Sequence, residues 1–208
     1  MKILAVSDKV ASELYVPEMH KRLAEVDLII SSGDLPWYYL EYLVTVLRAP
    51  LFYVIGNHGL EVRQDENGRI IYPGGCVNLD GRVVRVKNLL LAGLEGSRRY
   101  NDRPFFQYTE EEMMWKVIRL MPRLFWNRLR YGKYIDVLVT HAPPYGIHDG
   151  TDLCHMGFKA FLKFIEKFRP RYLIHGHQHI YRPDTPWRTR YRDTIIINAY
   201  GYKVLELR

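Results

Sequence analysis

The stretch LFYVIGNH, residues 51–58, joins an apolar run of strand length to a glycine and two polar side chains. Runs that are apolar on both faces are typical of strands in a sheet covered on both sides. Gly56 permits a tight turn, so Asn57 and His58 can emerge where the strand ends. The stretch therefore predicts an α/β fold with polar groups at the ends of buried strands.

The same pattern recurs on both sides of this stretch. Buried runs ending in polar residues are KILAVSD at 2–8, DLIISSGD at 27–34, YIDVLVTH at 134–141 and RYLIHGHQH at 171–179. Helical patterns separate the runs at residues 17–25, 36–48, 110–131 and 157–168, and a kink or a division into two helices is expected at Pro122. Further strands are expected as a hairpin at 82–86 and 89–93, and at 194–198 and 203–207. We predict a single α/β domain over residues 1–208 with mixed sheets.

Composition excludes several classes of protein. The chain has 208 residues, of which 48% are hydrophobic and 25% charged, which is unlike a disordered, collagenous or disulfide-scaffold protein. Lys and Arg total 30 against 23 Asp and Glu, and the resulting charge of +7 favours anionic substrates or partners. No signal peptide or transmembrane run is seen, and Cys76 and Cys154 lie outside any CxxC pattern. Reduced thiols and a cytoplasmic location are therefore expected.

Six side chains at the strand ends can bind metal. They are Asp8, Asp34, Asn57, His141, His177 and His179. Carboxylate, amide and imidazole ligands suit Mn, Fe, Zn or Ni, and no thiolate is expected among them because Cys154 is interpreted as a packing residue. Two such ions can clamp a phosphoryl group and generate hydroxide at neutral pH.

Four of these motifs, in order, resemble those of the calcineurin-like metallophosphoesterases: Gly33-Asp34, Gly56-Asn57-His58, His141 in Thr-His-Ala-Pro-Pro, and Gly176-His177-Gln178-His179. The resemblance covers essentially the whole chain and implies a four-layer αββα sandwich with one or two divalent metal ions per chain. It implies that Asp34 bridges the metals, with Asp8 and His179 on the first ion and Asn57, His141 and His177 on the second. His58 would contact the phosphate as a general acid or charge stabiliser.

The resemblance implies a metal-dependent phosphoesterase, in which a metal-bound hydroxide attacks the phosphorus. The loop after His141 looks most like that of small phosphodiesterase-type members, so a phosphodiesterase acting on a small phosphate ester or nucleotide is expected. Two departures matter, because Val10 stands where the family has a histidine and Gly59 stands where an acid usually follows. They keep open a second function, a scaffold of weakened chemistry that acts through protein partners, as retromer-type relatives do.

Several other polar and basic residues have candidate or alternative roles. Arg98 and Arg99 are candidate substrate-phosphate ligands, while His148, Asp149, Asp152 and His155 either line the site entrance or hold the long loop. Residues 113–131 mix aromatic side chains with arginines, and we interpret them as helix covering the sheet. Nucleic acid or an anionic membrane remains an alternative partner for this segment, which would make the protein a nuclease or a lipid-headgroup phosphohydrolase.

Overall fold

The computed structural model describes residues 1–16, 18–58, 63–64, 66–102 and 105–207, with the backbone alone at 63 and 64. Within these ranges the helices are α1 (Met19–Arg22), α2 (Trp37–Leu47), α3 (Glu110–Tyr131) and α4 (Lys159–Phe168), and a 3₁₀ turn spans Ser12–Leu14. The strands are β1 (Lys2–Ser7), β2 (Leu28–Ser31), β3 (Leu51–Tyr53), β4 (Arg63–Gln64), β5 (Ile70–Ile71), β6 (Cys76–Asn78), β7 (Val83–Val86), β8 (Leu89–Leu94), β9 (Ser97–Arg98), β10 (Gln107–Tyr108), β11 (Val137–Thr140), β12 (Tyr172–His175), β13 (Arg188–Tyr191), β14 (Thr194–Asn198) and β15 (Gly201–Glu206).

Two mixed sheets form the body of the fold. The first has the order β15-β1-β2-β3-β6, in which β15 is antiparallel to β1 and the other neighbours are parallel. The second has the order β13-β14-β12-β11-β8-β7, with antiparallel strands at its two edges and parallel pairs between them. The parallel strands of each sheet end at a common edge, which places their following residues together.

The sheets pack face to face, and each is covered by helices on its other face. In β1, Ile3 and Ala5 join a buried cluster that contains Val139 and Ile174 of the second sheet. The alternate residues of β1 pack instead with the side chains of α2. On the far side, the second sheet packs against the buried faces of α3 and α4. The fold is thus the four-layer αββα sandwich that the resemblance implies.

Most elements lie where the sequence predicts them, within a few residues. The hairpin of β7 and β8 turns at Lys87 and Asn88, and Lys87 takes the left-handed conformation with φ of 51°. The sequence does not predict the strands β4, β5, β6, β9, β10 and β13. Of these, β6 adds a short parallel strand at the edge of the first sheet, and β13 pairs antiparallel with β14. Pro17, at the start of the expected first helix, lies outside the described residues.

Helix α3 runs through Pro122 as one helix, so of the two expected outcomes, a kink or a division into two helices, the division is wrong. A capping box closes its N-terminus, where Thr109 Oγ1 accepts from the backbone N–H of Glu112 and the Glu112 carboxylate accepts from that of Thr109. Gly132, with φ of 74°, ends the helix. Pro122 lies on the exposed side, where water can solvate the carbonyl that lacks a backbone donor.

No helix in the described part of the chain is long and apolar enough to cross a membrane. Cys76 and Cys154 are both free thiols.

We expect Pro122→Ala to raise the free energy of unfolding by about 2 kcal/mol. A helix-interior proline costs ~3 kcal/mol, and the stiffening of the unfolded chain by proline offsets ~0.4–1 kcal/mol of this cost. Urea denaturation checks the value, with Arg123→Ala at the neighbouring exposed position as control. A loss of stability in Pro122→Ala would show that the proline is favourable where it stands.

Candidate metal centre

The predicted ligands meet at the edge where the parallel strands of both sheets end. Asp8 directly follows β1, and Asp34 lies three residues after β2. His141 directly follows β11, and His177 lies two residues after β12. Two ligands therefore come from each sheet, and the centre lies across the join between the sheets.

The buried imidazole of His141 is the core of one half of the centre. Its Nδ1 lies 2.7 Å from Ser32 O, and its Nε2 lies 2.9 Å from Asn57 Oδ1 and 3.2 Å from Asp34 Oδ2. The carbonyl of Ser32 can only accept, so Nδ1 carries a proton and Nε2 is the nitrogen that faces the ligand cluster. His177 packs against this ring, with 4.8 Å between the ring centroids.

The second half of the centre joins Asp8 to the segment after β12. The backbone N–H of His177 donates to both carboxylate oxygens of Asp8, at 3.0 and 2.9 Å. The Asp8 backbone N–H donates to Gly33 O at 3.1 Å, which holds the end of β1 beside the turn that carries Asp34. His179 lies at the outer rim, with its Nε2 3.9 Å from Asp8 Oδ1.

The backbone around the centre allows carboxylate side chains to pack directly against neighbouring main chain. Asp8, Asp34 and His177 have φ of 64°, 54° and 66°, the left-handed region that L-residues seldom adopt. A Cβ added to Gly56 would overlap Asp34 Oδ1, and one added to Gly176 would overlap the side chains of Ser7 and Asp8. These two glycines are needed because the carboxylates pack directly against their α-carbons.

Charge is concentrated in the pair of Asp34 and His141. Burial acts to raise the pKa of Asp34, but the charge and hydrogen bond of His141 outweigh it and lower the pKa to about 2. Burial acts to lower the pKa of His141, but the charge and hydrogen bond of Asp34, the charge of Asp8 and the hydrogen bond to Ser32 together outweigh it and raise the pKa to about 9. Burial and the charge of His141 lower the pKa of His177 to about 3, so that ring is neutral and free to act as a ligand.

Comparison with known proteins identifies the family. A model of the calcineurin-like phosphoesterase family matches residues 1–181. The chain belongs to the calcineurin-like phosphoesterase family. Its members are generally metal-dependent phosphoester hydrolases.

Individual relatives are distant or uncharacterised. The chain is 35% identical over 109 residues to the uncharacterized protein MJ1162 of Methanocaldococcus jannaschii, and this match spans 50% of the chain and 46% of the relative. TT1561 of Thermus thermophilus is 16% identical with a TM-score of 0.62, covering 98% of this chain and 93% of that one. GAP50 of Plasmodium, described as the anchor in the inner membrane complex, is 13% identical with a TM-score of 0.54, covering 95% and 70%. At these identities the two structures show the fold alone.

The residues that converge fit the divalent metals of this phosphoesterase family. Ligand atoms of Asp34, His141 and His177 all lie within 4.8 Å of one another. Two carboxylates, an amide oxygen and imidazoles are the donor set that divalent first-row ions prefer. The glycine contacts hold these donors in place at the strand ends.

The two departures from the phosphoesterase pattern have different outcomes. Val10 packs against the buried cluster between the first sheet and its helices, so no donor replaces the family's imidazole at that position. His179 is 39% exposed at its side chain, and its Nδ1 lies 2.7 Å from Tyr181 Oη. The Asp8 side of the centre is therefore poorer in ligands than the family pattern. Gly59 lies outside the described residues.

The structure gives no support for Arg98 and Arg99 as phosphate ligands. Arg98 Nη1 lies 2.7 Å from Glu110 Oε2, and Arg99 Nη2 lies 2.8 Å from Glu112 Oε2. Both guanidinium groups thus pair with carboxylates of the first turn of α3. The next residue, Tyr100, does reach the centre, where its hydroxyl accepts from Asn57 Nδ2 at 3.2 Å.

For three polar residues of the loop after His141, the structure shows the second of the two expected roles, which is to hold the loop. Asp149 and Asp152 hold the loop through backbone N–H groups, which is the structural alternative for them. His148 is 3.0 Å from His175 and is also bound to Thr189, away from the ligand set. The Cys154 thiol lies within 4.8 Å of ligand atoms of His155 and His177, a placement that the sequence does not predict. Sequence spacing gave no signal for this, since the loop folds back over the motif through main-chain contacts.

We expect Gly56→Ala to weaken Mn²⁺ binding at least tenfold and to lower the free energy of unfolding by ~1–3 kcal/mol. The added methyl group must displace the Asp34 carboxylate, which the family resemblance implies to be the shared ligand of the centre. Gly74→Ala is the matched control, since its Cβ would meet only Glu41 Oε1 at 3.5 Å. Calorimetric titration measures both variants, and equal Mn²⁺ affinity in the two would contradict the assignment.

Proposed function

We propose that the protein is a metal-dependent phosphoesterase of the phosphodiesterase type. The observation that carries the proposal is the convergence of Asp34, Asn57 and His141 beside His58, at the join of the two sheets. His177 adds an imidazole beside His141, and Asp8 with His179 at the rim forms the other side of the ligand set. Divalent ions bound there would supply a water of lowered pKa and polarise the phosphoryl oxygens.

Asp34 is suited to be the shared ligand. Its Oδ2 faces the His141 ring at 3.2 Å and the His58 ring at 3.7 Å, while its Oδ1 accepts from the His58 backbone N–H at 3.2 Å. The Asp34 carboxylate therefore orients both His141 in the ligand cluster and His58 at the solvent side of that cluster. A buried carboxylate with its ionised form favoured is the group expected at the centre of a site for cations.

His58 is placed to act on the phosphate ester from the solvent side. Its side chain is 57% exposed, whereas those of Asp34 and His141 are buried. A protonated His58 could donate from Nε2 to the departing oxygen of the ester, or stabilise charge on the phosphoryl group. Its backbone contact with Asp34 keeps the imidazole next to the ligand set.

An aromatic cluster on the Asp8 side supports a nucleotide or other aromatic ester as substrate. The ring of His179 lies 4.8 Å from Tyr200 and 5.6 Å from Tyr181. Tyr181 is 80% exposed, so its face is open to a planar group. Stacking on such rings is worth ~1–3 kcal/mol per base, and the overall charge of +7 favours an anionic substrate.

The Mn²⁺-loaded protein should hydrolyse bis-p-nitrophenyl phosphate, and His58→Ala should lower kcat by ~10²–10⁴ because proton transfer to the leaving group is lost. His20→Ala, a histidine change in α1, is the control that should leave the rate unchanged. The release of p-nitrophenol measures all three proteins. Absence of hydrolysis in the loaded wild type, or equal rates in His58→Ala and His20→Ala, would refute the proposal.

A second candidate function, a partner-binding scaffold, is favoured by the outer face of α3. Spacings of three and four residues place Trp115, Ile118, Pro122, Trp126 and Leu129 on one face. Trp115, Trp126 and Leu129 are 62%, 65% and 83% exposed. The inner face of α3 covers the sheet, as the sequence predicts, but this outer stripe is more apolar than a solvated helix face needs to be.

Metal content separates the two functions. As an enzyme the protein should hold two ions per chain after removal of free metal, whereas the scaffold alternative predicts one ion or none because Val10 replaces an imidazole. Elemental analysis gives the number, and Trp126→Ala should leave both it and the hydrolysis rate unchanged. Two tightly held ions with hydrolysis would exclude a scaffold that has lost its chemistry.

Two exposed arginines, Arg119 and Arg123, lie beside the stripe and could bind the phosphates of a nucleic acid or of a lipid headgroup. They are the basis of a third alternative, a nuclease or a lipid-headgroup phosphohydrolase. Binding of single-stranded DNA that falls steeply with salt, and less steeply in Arg119→Ala, would favour the nuclease. Binding to anionic but not zwitterionic vesicles would favour the lipid enzyme.

A further inference from the structure

The loop between β11 and α4 is fixed on the segment that carries His177. The Asp149 carboxylate accepts from the backbone N–H groups of Gly146 and Gly157, at 2.9 and 3.1 Å, which closes the base of the loop. At its tip, the Asp152 carboxylate accepts from the His155 backbone N–H at 3.1 Å. The loop is thus a preformed unit rather than an open connection.

Main-chain carbonyls of the tip contact the metal motif directly. His177 Nε2 lies 2.8 Å from Cys154 O, and Gln178 Nε2 donates to His155 O at 2.9 Å. A carbonyl can only accept, so His177 donates from Nε2, and in the neutral ring Nδ1 keeps its lone pair for a metal. The loop therefore sets the tautomer of His177, the role that a partner beyond the metal ligands commonly plays.

The same contacts bring two further ligand groups to His177. Cys154 Sγ and a His155 nitrogen lie within 4.8 Å of a His177 nitrogen and of each other. The rings of His155 and His177 are 5.2 Å apart at their centroids. His155 Nδ1 lies 2.8 Å from Asp152 Oδ2, which leaves its Nε2 as the free ligand atom. A thiol and two imidazoles form a donor set that binds borderline ions such as Zn²⁺ in preference to Mn²⁺ or Mg²⁺.

This cluster adjoins His177, whereas the ligand that the family pattern has lost belongs to the Asp8 part of the centre. On the Asp8 side, Val10 supplies no donor and packs into the core. On the His177 side, Cys154 and His155 add a sulfur and a nitrogen to the ligands of the family pattern. The centre is consequently asymmetric: the side with more ligand atoms is also the side with the soft sulfur donor.

We propose that Cys154 and His155 bind a zinc-class divalent ion together with His177, so that Cys154 is a thiolate ligand of the metal centre. As the bond from Sγ to the metal forms, the thiol proton leaves to solvent. The inference extends the centre on which the proposed function rests, but it concerns metal coordination and does not require hydrolysis.

The test uses the two free thiols of the chain as a matched pair. In Cys76→Ser the remaining thiol is Cys154, and Zn²⁺ should slow its alkylation by iodoacetamide at least tenfold while Mg²⁺ does not. In Cys154→Ser the remaining thiol is Cys76, and Zn²⁺ should leave its alkylation unchanged. Equal effects of Zn²⁺ on the two variants, or no effect on either, would overturn the proposal.

Cobalt separates coordination from simple shielding of the thiol. The Co²⁺-loaded wild type and Cys76→Ser should show a thiolate-to-cobalt charge-transfer band in the near ultraviolet, and Cys154→Ser should lack it. His155→Ala should keep the band but require at least tenfold more Co²⁺ to saturate it. A band of equal intensity in Cys154→Ser would exclude the thiolate ligand. Hydrolysis plays no part in these readouts, so an inactive protein with the band would refute only the proposed function.

Discussion

The buried imidazole of His141 joins the two sheets at the edge where their strands end. His141 belongs to the second sheet through β11, yet its Nδ1 bonds to Ser32 O, which directly follows β2 of the first. Moving an ionised ring out of water costs several kcal/mol unless a partner of opposite charge is close. Asp34 is that partner, and its turn is held in place by Gly33 and by the packing of Gly56. The ligand positions therefore depend on the sheets meeting in this one register.

Several features of the centre could be predicted from the sequence because each ligand follows a strand that is apolar on both faces. The order of the strands across each sheet did not need to be known, since the carboxyl ends of parallel strands share one edge. Gly56 and Gly176 also marked the turns in advance, and both prove to be places where a carboxylate touches the glycine. Asp8, Asp34, Asn57, His141 and His177 were brought together for these reasons, with His179 at the rim.

Other features depend on contacts that no local pattern records. Pro122 predicts a kink or a helix division, but a capping box and a buried inner face hold α3 as one helix across it. Arg98 and Arg99 look like free cations in the sequence and are paired with the carboxylates of α3 in the structure. Cys154 lies next to His177 because its main-chain carbonyl oxygen accepts a hydrogen bond from that ring. Every residue has such a carbonyl, so the contact leaves no mark in the sequence. Spacing cannot distinguish such a residue from a packing cysteine.

The proposed chemistry rests on the claim that this junction of strand ends holds divalent ions around Asp34. A crystal grown with Mn²⁺ and phosphate, measured at the manganese absorption edge, tests that claim by the position of the anomalous signal. We expect a signal in contact with Asp34 and His141, with phosphate on the side of His58. Saturating Mn²⁺ without anomalous signal at Asp34, or with signal only elsewhere on the molecule, would contradict it.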